Sequence, residues 1–370
     1  MANTDKQHGV GRRGFLIATS AAVAAGSLGL PTPGAAATVD EGHRGRIDTH
    51  HHATPPAMQE WAVQQGLLPA DRDRWPRWAK WDLDETLATM DAGGIAVGVA
   101  SAPLPTAVVE GDPAVAQRAA RVINEALAEL ARDHPARFGF LAYVPLPHID
   151  VALSEIRYAF DQLDADGVLM MTHVGQTPET ARYLGDPSFT RVFAELNERK
   201  AVILVHPDNL PGEHGRVIPG VDNYVADYML ATTRAALSMM TSKTLQQCPD
   251  LSVILSHGGG FLPYIGGRLE LAGRLGEGPD VQSVRTALKR FYYDTAQPTS
   301  PYATPTLLHA VPPTHILYGS DWPATPAKEV AVTAAAFDRD PGLDRQLRDR
   351  INRSNALDLF PSIARRLRHR

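Results

Sequence analysis

Three short apolar runs in this chain each end in a side chain able to hold a metal ion, with glycine or proline one or two residues beyond. The run 201–205 closes in His206 and Pro207, and the run 251–256 closes in His257 and Gly258. The run 316–318 passes through Gly319 and Ser320 to Asp321, Trp322 and Pro323. Apolar runs of this length between turn residues read as strands buried on both faces. Strands that all deliver their chemistry at the carboxyl end are the arrangement of a (β/α)8 barrel, an α/β fold.

A fourth strand end carries three consecutive histidines, His50, His51 and His52, after Ile47, Asp48 and Thr49. Side chains alternate along a strand, so His50 and His52 share one face and His51 points the other way. By itself such a run could be a polar surface turn. Beside the other strand ends it supplies half of a metal site.

Strands are expected at about 46–50, 96–101, 138–144, 167–172, 202–206, 253–256, 291–294 and 316–318. Helical patterns fall at 83–92, 114–134, 151–163, 189–199, 232–248, 281–288, 304–310 and 328–338. Eight alternating units predict a parallel sheet closed into a barrel, and no strand pair is joined by a loop of hairpin length. Residues 38–370 are thus expected to form one barrel domain. Two connections exceed what a barrel needs. Residues 53–82 contain Trp61, Trp75, Trp78 and Trp81, and residues 207–231 contain His214, Tyr224 and Tyr228. Both follow ligand-bearing strands and are expected over the mouth of the site. Most of the tryptophans are expected to pack the loop onto the rim, with one or two at most touching substrate.

The net charge of −5 and the absence of a basic tract argue against nucleic acid as a partner. The single cysteine, Cys248, excludes an intramolecular disulfide and a thiolate-rich metal site, and its place before Pro249 suits packing. Residues 1–37 have another character. Arg12 and Arg13 precede an alanine-rich apolar run to about Leu30, followed by Pro31, Pro33 and the small residues Ala35, Ala36 and Ala37. That pattern predicts a signal peptide of the twin-arginine type, hence export to the periplasm or beyond. The run is too short and too weakly apolar for stable membrane insertion.

His50, His52, His206 and Asp321 together form a set suited to one divalent metal, zinc first, with Mn2+, Fe2+ or Co2+ as alternatives. The fourth strand, with its exit at Thr172 and His173, offers no lysine to bridge a second ion. His257 is expected to face the open metal position as general acid or base. The reverse assignment, His257 as ligand and Asp321 as base alone, is the lesser reading. His51 is expected to bond beneath its strand, His173 to line either the pocket or its rim, and Asp294 to orient a neighbouring side chain. His134, His148, His214, His309 and His315 read as surface or structural residues.

The combination of His50, His52 and Pro55 with His206-Pro207, with His257 through Gly260 to Pro263, Tyr264, Gly267 and Arg268, and with Gly319, Asp321 and Pro323 resembles the amidohydrolase-related metal-dependent decarboxylases. The similarity extends over 46–360 and includes Met90, Asp91 and Ile95, then Asn124, Glu125 and His134 to Phe138. Tyr158 to Val168 and Tyr183 to Pro187 resemble the 6-methylsalicylate decarboxylase branch. The resemblance implies metal ligation by His50, His52, His206 and Asp321, with His257 catalytic. It further implies a homodimer in which Arg268 holds a substrate carboxylate in the neighbouring subunit's site. An export signal is unusual in such a family. The activity implied is non-oxidative decarboxylation of a small aromatic or muconate-like acid. The same residues would also support attack of water on a lactone, amide or ester. A purely metal-storing or sugar-binding barrel would have no use for His257.

Overall fold

The computed structural model describes residues 45–213, 215–297 and 300–368. The expected leader and His214 lie outside them. Eight strands form one sheet in sequential order: β1 (Arg46–His52), β2 (Ile95–Ser101), β3 (Phe138–Tyr143), β4 (Gly167–Met171), β5 (Val202–His206), β6 (Ser252–Leu255), β7 (Tyr292–Asp294) and β8 (Ile316–Leu317). Every neighbouring pair is parallel. The ring closes between β8 and β1 by main-chain bonds: Thr49 N–H to Tyr318 O at 2.9 Å, Asp321 N–H to His50 O at 2.9 Å and His52 N–H to Trp322 O at 2.7 Å. This is the expected (β/α)8 barrel.

Strand β1 is buried along its whole length although it carries arginine, aspartate and three histidines. Its pairing with β2 slips by one residue between Asp48 and His51, a bulge that takes in the first ligand, His50. Bulges re-aim side chains, and this one sits where two ligands must point inward. His51 lies against β2 at Gly98, where a Cβ would stand 2.9 Å from the imidazole. The glycine is required there by close approach alone.

Helices cover the barrel at Leu83–Ala92, Pro113–Asp133, Ile149–Gln162, Thr190–Glu198, Asp227–Thr241, Val281–Arg290, Thr304–Ala310 and Ala327–Asp338. The pattern read as one helix over 232–248 starts earlier and breaks at Lys243, which has φ 60°. Segments beyond 338 fold as well, including Asn355–Leu359 and Pro361–Arg368. They brace the strand entrances: Arg353 Nη1 donates to Gly45 O at 2.7 Å, and Arg366 pairs with the buried Asp166 at 2.9 Å. Among the described residues no helix is long and apolar enough to cross a membrane.

Both long connections lie on the carboxyl side of the strands. The 53–82 segment includes the helix Pro56–Gln64, and Arg77 Nη1 reaches Ala324 O at 3.1 Å beside the Asp321 turn. Trp61 and Trp81 are buried, Trp75 is half-buried, and Trp78 is exposed. The 207–231 segment is tied to loops after β2 and β4 by Thr106 N–H to Asp208 Oδ2 at 3.1 Å and Gly212 N–H to Gln176 O at 2.8 Å.

Candidate metal centre

His50 and His52 leave β1 on the same face, His206 ends β5, and Asp321 sits in the turn after β8. One ligand atom from each of the four lies within 4.8 Å of the others, and all four residues are buried. His50 Nε2 and His52 Nε2 are 3.1 Å apart, and Asp321 Oδ1 is 3.4 Å from the first and 3.2 Å from the second. Three imidazoles and a carboxylate, buried and converging one ligand atom each, are a donor set that fits one divalent ion.

What stands behind the ligands fixes which nitrogen faces inward. His50 Nδ1 bonds Asp294 Oδ2 at 2.7 Å, His52 Nδ1 bonds Ser101 Oγ at 3.0 Å, and His206 Nδ1 bonds Pro207 O at 2.8 Å. With Nδ1 engaged in all three, Nε2 is the atom left for a metal. Asp321 adopts φ 58°, a left-handed conformation rare outside glycine, and its Oδ2 accepts from Gln297 Nε2. The turn aims the carboxylate back over the strand ends.

Electrostatics agree with a cation site. Burial opposes charge on His50, yet the Asp294 and Asp321 carboxylates push its pKa up to about 10. Burial pulls His52 down and His206 well down, so both favour the neutral, metal-binding form. Burial alone would raise Asp321, but the facing rings of His257, His50 and His52 hold its carboxyl well below the usual range.

His257 follows β6 in a left-handed conformation, φ 55° and ψ 50°, and Gly258 continues it at φ 64°. Its ring is buried and neither nitrogen has a hydrogen-bond partner. Nε2 stands 3.6 Å from Asp321 Oδ2, so the ring borders the ligand cluster without belonging to it. A buried imidazole facing a carboxylate at the edge of the cluster is placed to hold or move a proton there.

The other sequence candidates separate. His51 bonds Asp48 Oδ2 at 3.0 Å beneath the strand. His173 is buried in a two-residue ribbon paired with Arg182–Tyr183, its ring 5.3 Å from Tyr183. His148 and His315 bond main-chain carbonyls. Arg268 lies exposed on the helix Gly266–Leu275, with no side-chain bond among the described residues. It does not join the site of its own chain. Ser101, Gln297 and the Pro207 carbonyl were not singled out from sequence. Ser101, at the end of β2, is the one with a readable position.

The sequence pattern of the amidohydrolase family, in the form Amidohydro_2, matches residues 47–362. The chain belongs to this family. Among its relatives, this amidohydrolase is 34% identical over 332 residues to 6-methylsalicylic acid decarboxylase of Aspergillus aculeatus, covering 86% of this chain and 97% of the relative. It is 32% identical over 325 residues to 6-methylsalicylic acid decarboxylase of Penicillium expansum, covering 86% and 97%. A dihydroxybenzoic acid decarboxylase from Polaromonas, solved with manganese and 2-nitroresorcinol, has the same fold: TM-score 0.73 at 21% identity, covering 86% and 97%.

Proposed function

We propose that this amidohydrolase is a non-oxidative decarboxylase of a small aromatic or muconate-like carboxylic acid. It binds one divalent metal, zinc foremost, on His50, His52, His206 and Asp321. The observation that carries the reading is the buried His257 ring, its Nε2 3.6 Å from the Asp321 carboxylate at the edge of the ligand cluster. The relatives in two moulds, both decarboxylases over nearly their full length, set the reaction class.

A divalent ion held by His50, His52, His206 and Asp321 would supply Lewis-acid stabilisation of charge on the substrate. The chain does the rest. His257 or Asp321 delivers a proton to the ring carbon that bears the carboxylate, forming a C–H bond and breaking conjugation. The C–C bond to the carboxylate then breaks, CO2 leaves, and the bonding pair restores the ring. The donor regains its proton from solvent or the next substrate.

Arg268 is assigned to the site of a second subunit, where its guanidinium would pair with an acidic substrate group. Its exposed place beside Tyr264, Leu271 and Leu275, three large exposed side chains of the same segment, supports a homodimer formed on this face. Export by the twin-arginine route, with residues 1–37 as leader, completes the proposal.

The test is CO2 release by purified, metal-analysed protein offered 6-methylsalicylate, other hydroxybenzoates and muconate-like acids. One metal per chain with CO2 release supports the reading. Metal without CO2 release, together with turnover of lactones, amides or esters, would replace it with hydrolysis.

A further inference from the structure

Asp294 closes β7, is fully buried, and serves different partners with its two carboxylate oxygens. Oδ2 lies 2.7 Å from His50 Nδ1. Oδ1 accepts the backbone N–H of His257 at 2.8 Å and that of Ala296 at 3.1 Å. We propose that Asp294 is a positioning residue that sets the tautomer of His50 and, with its other oxygen, fixes the backbone of His257. One carboxylate thereby keeps the metal-binding and proton-carrying halves of the site in register. The proton-carrying role of His257 rests on the decarboxylase reading; the two contacts of Asp294 do not.

The two halves need such a device for different reasons. Imidazole can carry its proton on either nitrogen, and only the Nδ1–H form leaves Nε2 free for an ion. A buried carboxylate against Nδ1 removes that choice. His257 sits in a left-handed backbone region that a non-glycine residue adopts only where its surroundings impose it. Three glycines follow it, Gly258, Gly259 and Gly260, so the segment has no stiffness of its own. Strand β7 holds it in two ways. Asp294 takes the His257 amide, and the Tyr293 ring fills the space beside Gly259, where a Cβ would come within 2.6 Å.

Asp294→Asn and Asp294→Ala separate the two contacts in the full-length protein. Asparagine keeps an oxygen for the His257 and Ala296 amides but turns an amide N–H toward His50 Nδ1. His50 must then accept there and carry its proton on Nε2, where the ion belongs. For Asp294→Asn, zinc affinity measured by chelator competition should fall about 10–100-fold. Hydrogen exchange of the 252–262 segment should stay as in the wild type. For Asp294→Ala, zinc affinity should fall and the His257 amide should exchange about tenfold faster or more. Its kcat should stay low at saturating zinc while KM changes little, whereas Asp294→Asn should recover turnover as zinc saturates. If the alanine variant does not fold, Asp294→Ser, with a smaller void, takes its place.

Wild-type zinc affinity in Asp294→Asn would overturn the His50 half of the proposal. Wild-type exchange at 252–262 in the alanine or serine variant would overturn the His257 half. Lost thermal stability with both readouts unchanged would leave Asp294 merely structural and overturn the whole. If no acid releases CO2, the function proposed above fails while zinc affinity and exchange still decide this one.

Discussion

Ser320 donates its backbone N–H to the Asp48 carboxylate across 3.0 Å, joining two segments 272 residues apart in sequence. The same carboxylate takes the Ser320 hydroxyl, His51 Nδ1 at 3.0 Å and the His50 N–H at 3.2 Å. Asp48 precedes two ligands on β1, and Ser320 precedes the ligand Asp321. This side-chain bond across the seam between the first and last strands therefore also ties together the segments that carry three of the four ligands.

Asp48→Ala removes that bond and leaves buried donors on Ser320, His50 and His51. A loss of about 3–5 kcal/mol is expected from urea unfolding, since several buried donors lose their acceptor at about 1–3 kcal/mol each. Zinc affinity should fall with it. A loss below about 1 kcal/mol would mean that the main-chain bonds hold the seam unaided.

His257→Ala should retain one metal per chain, because the ring lies outside the ligand set. Turnover should drop about 10²–10⁴-fold, the usual worth of a positioned proton donor. Metal content by mass spectrometry and initial rates check both halves. Near-normal turnover would move the proton-donating role to Asp321.

Much of this was legible because strand chemistry repeats. An apolar run that ends in His206 or His257 marks a strand and a functional end together, and alternation alone separates His51 from His50 and His52. Asp294 could be marked as an orienting residue by its place at the end of β7, though not which partners it takes. The helix Pro56–Gln64 was hidden because it has little amphipathic contrast and begins at paired prolines. The segments after 338 are short and rich in arginine and aspartate, and even the amphipathic Pro361–Arg368 spans only eight residues, too few to stand out. Gln297 reaches Asp321 from a loop, where no periodicity says which way a side chain turns.

Arg268→Ala should raise KM for the acid with little effect on folding, since the side chain is exposed and makes no side-chain bond among the described residues. If it acts across subunits, mixed dimers of His257→Ala and Arg268→Ala contain one site with both residues intact. Mixing the two proteins after dissociation should then restore part of the activity at substrate concentrations well below the raised KM. No recovery, with mixed dimers verified by native mass spectrometry, would rule out action in trans.

Removing the metal should make stability depend on pH in a way the loaded protein does not show. Without the ion, burial works against a charged His50, but Asp294 and Asp321 prevail and push it up to about 10 from 6.5. A folded value above the unfolded one means stabilisation that is complete below 6.5 and lost as pH rises toward about 10. His52 and His206 act oppositely: burial lowers both, so charging them costs stability as pH falls through 6.5. The chelated protein should accordingly be most stable near neutral pH and melt at lower temperature by about pH 9. In the loaded protein the ion occupies the place of the His50 proton, so the alkaline decline should be shallower. Zinc uptake at about pH 8 should release a proton, and titration in buffers of different ionisation enthalpy measures it directly. Parallel alkaline limbs for chelated and loaded protein, with no proton released, would show that Asp294 and Asp321 do not hold a charged His50 in the metal-free site.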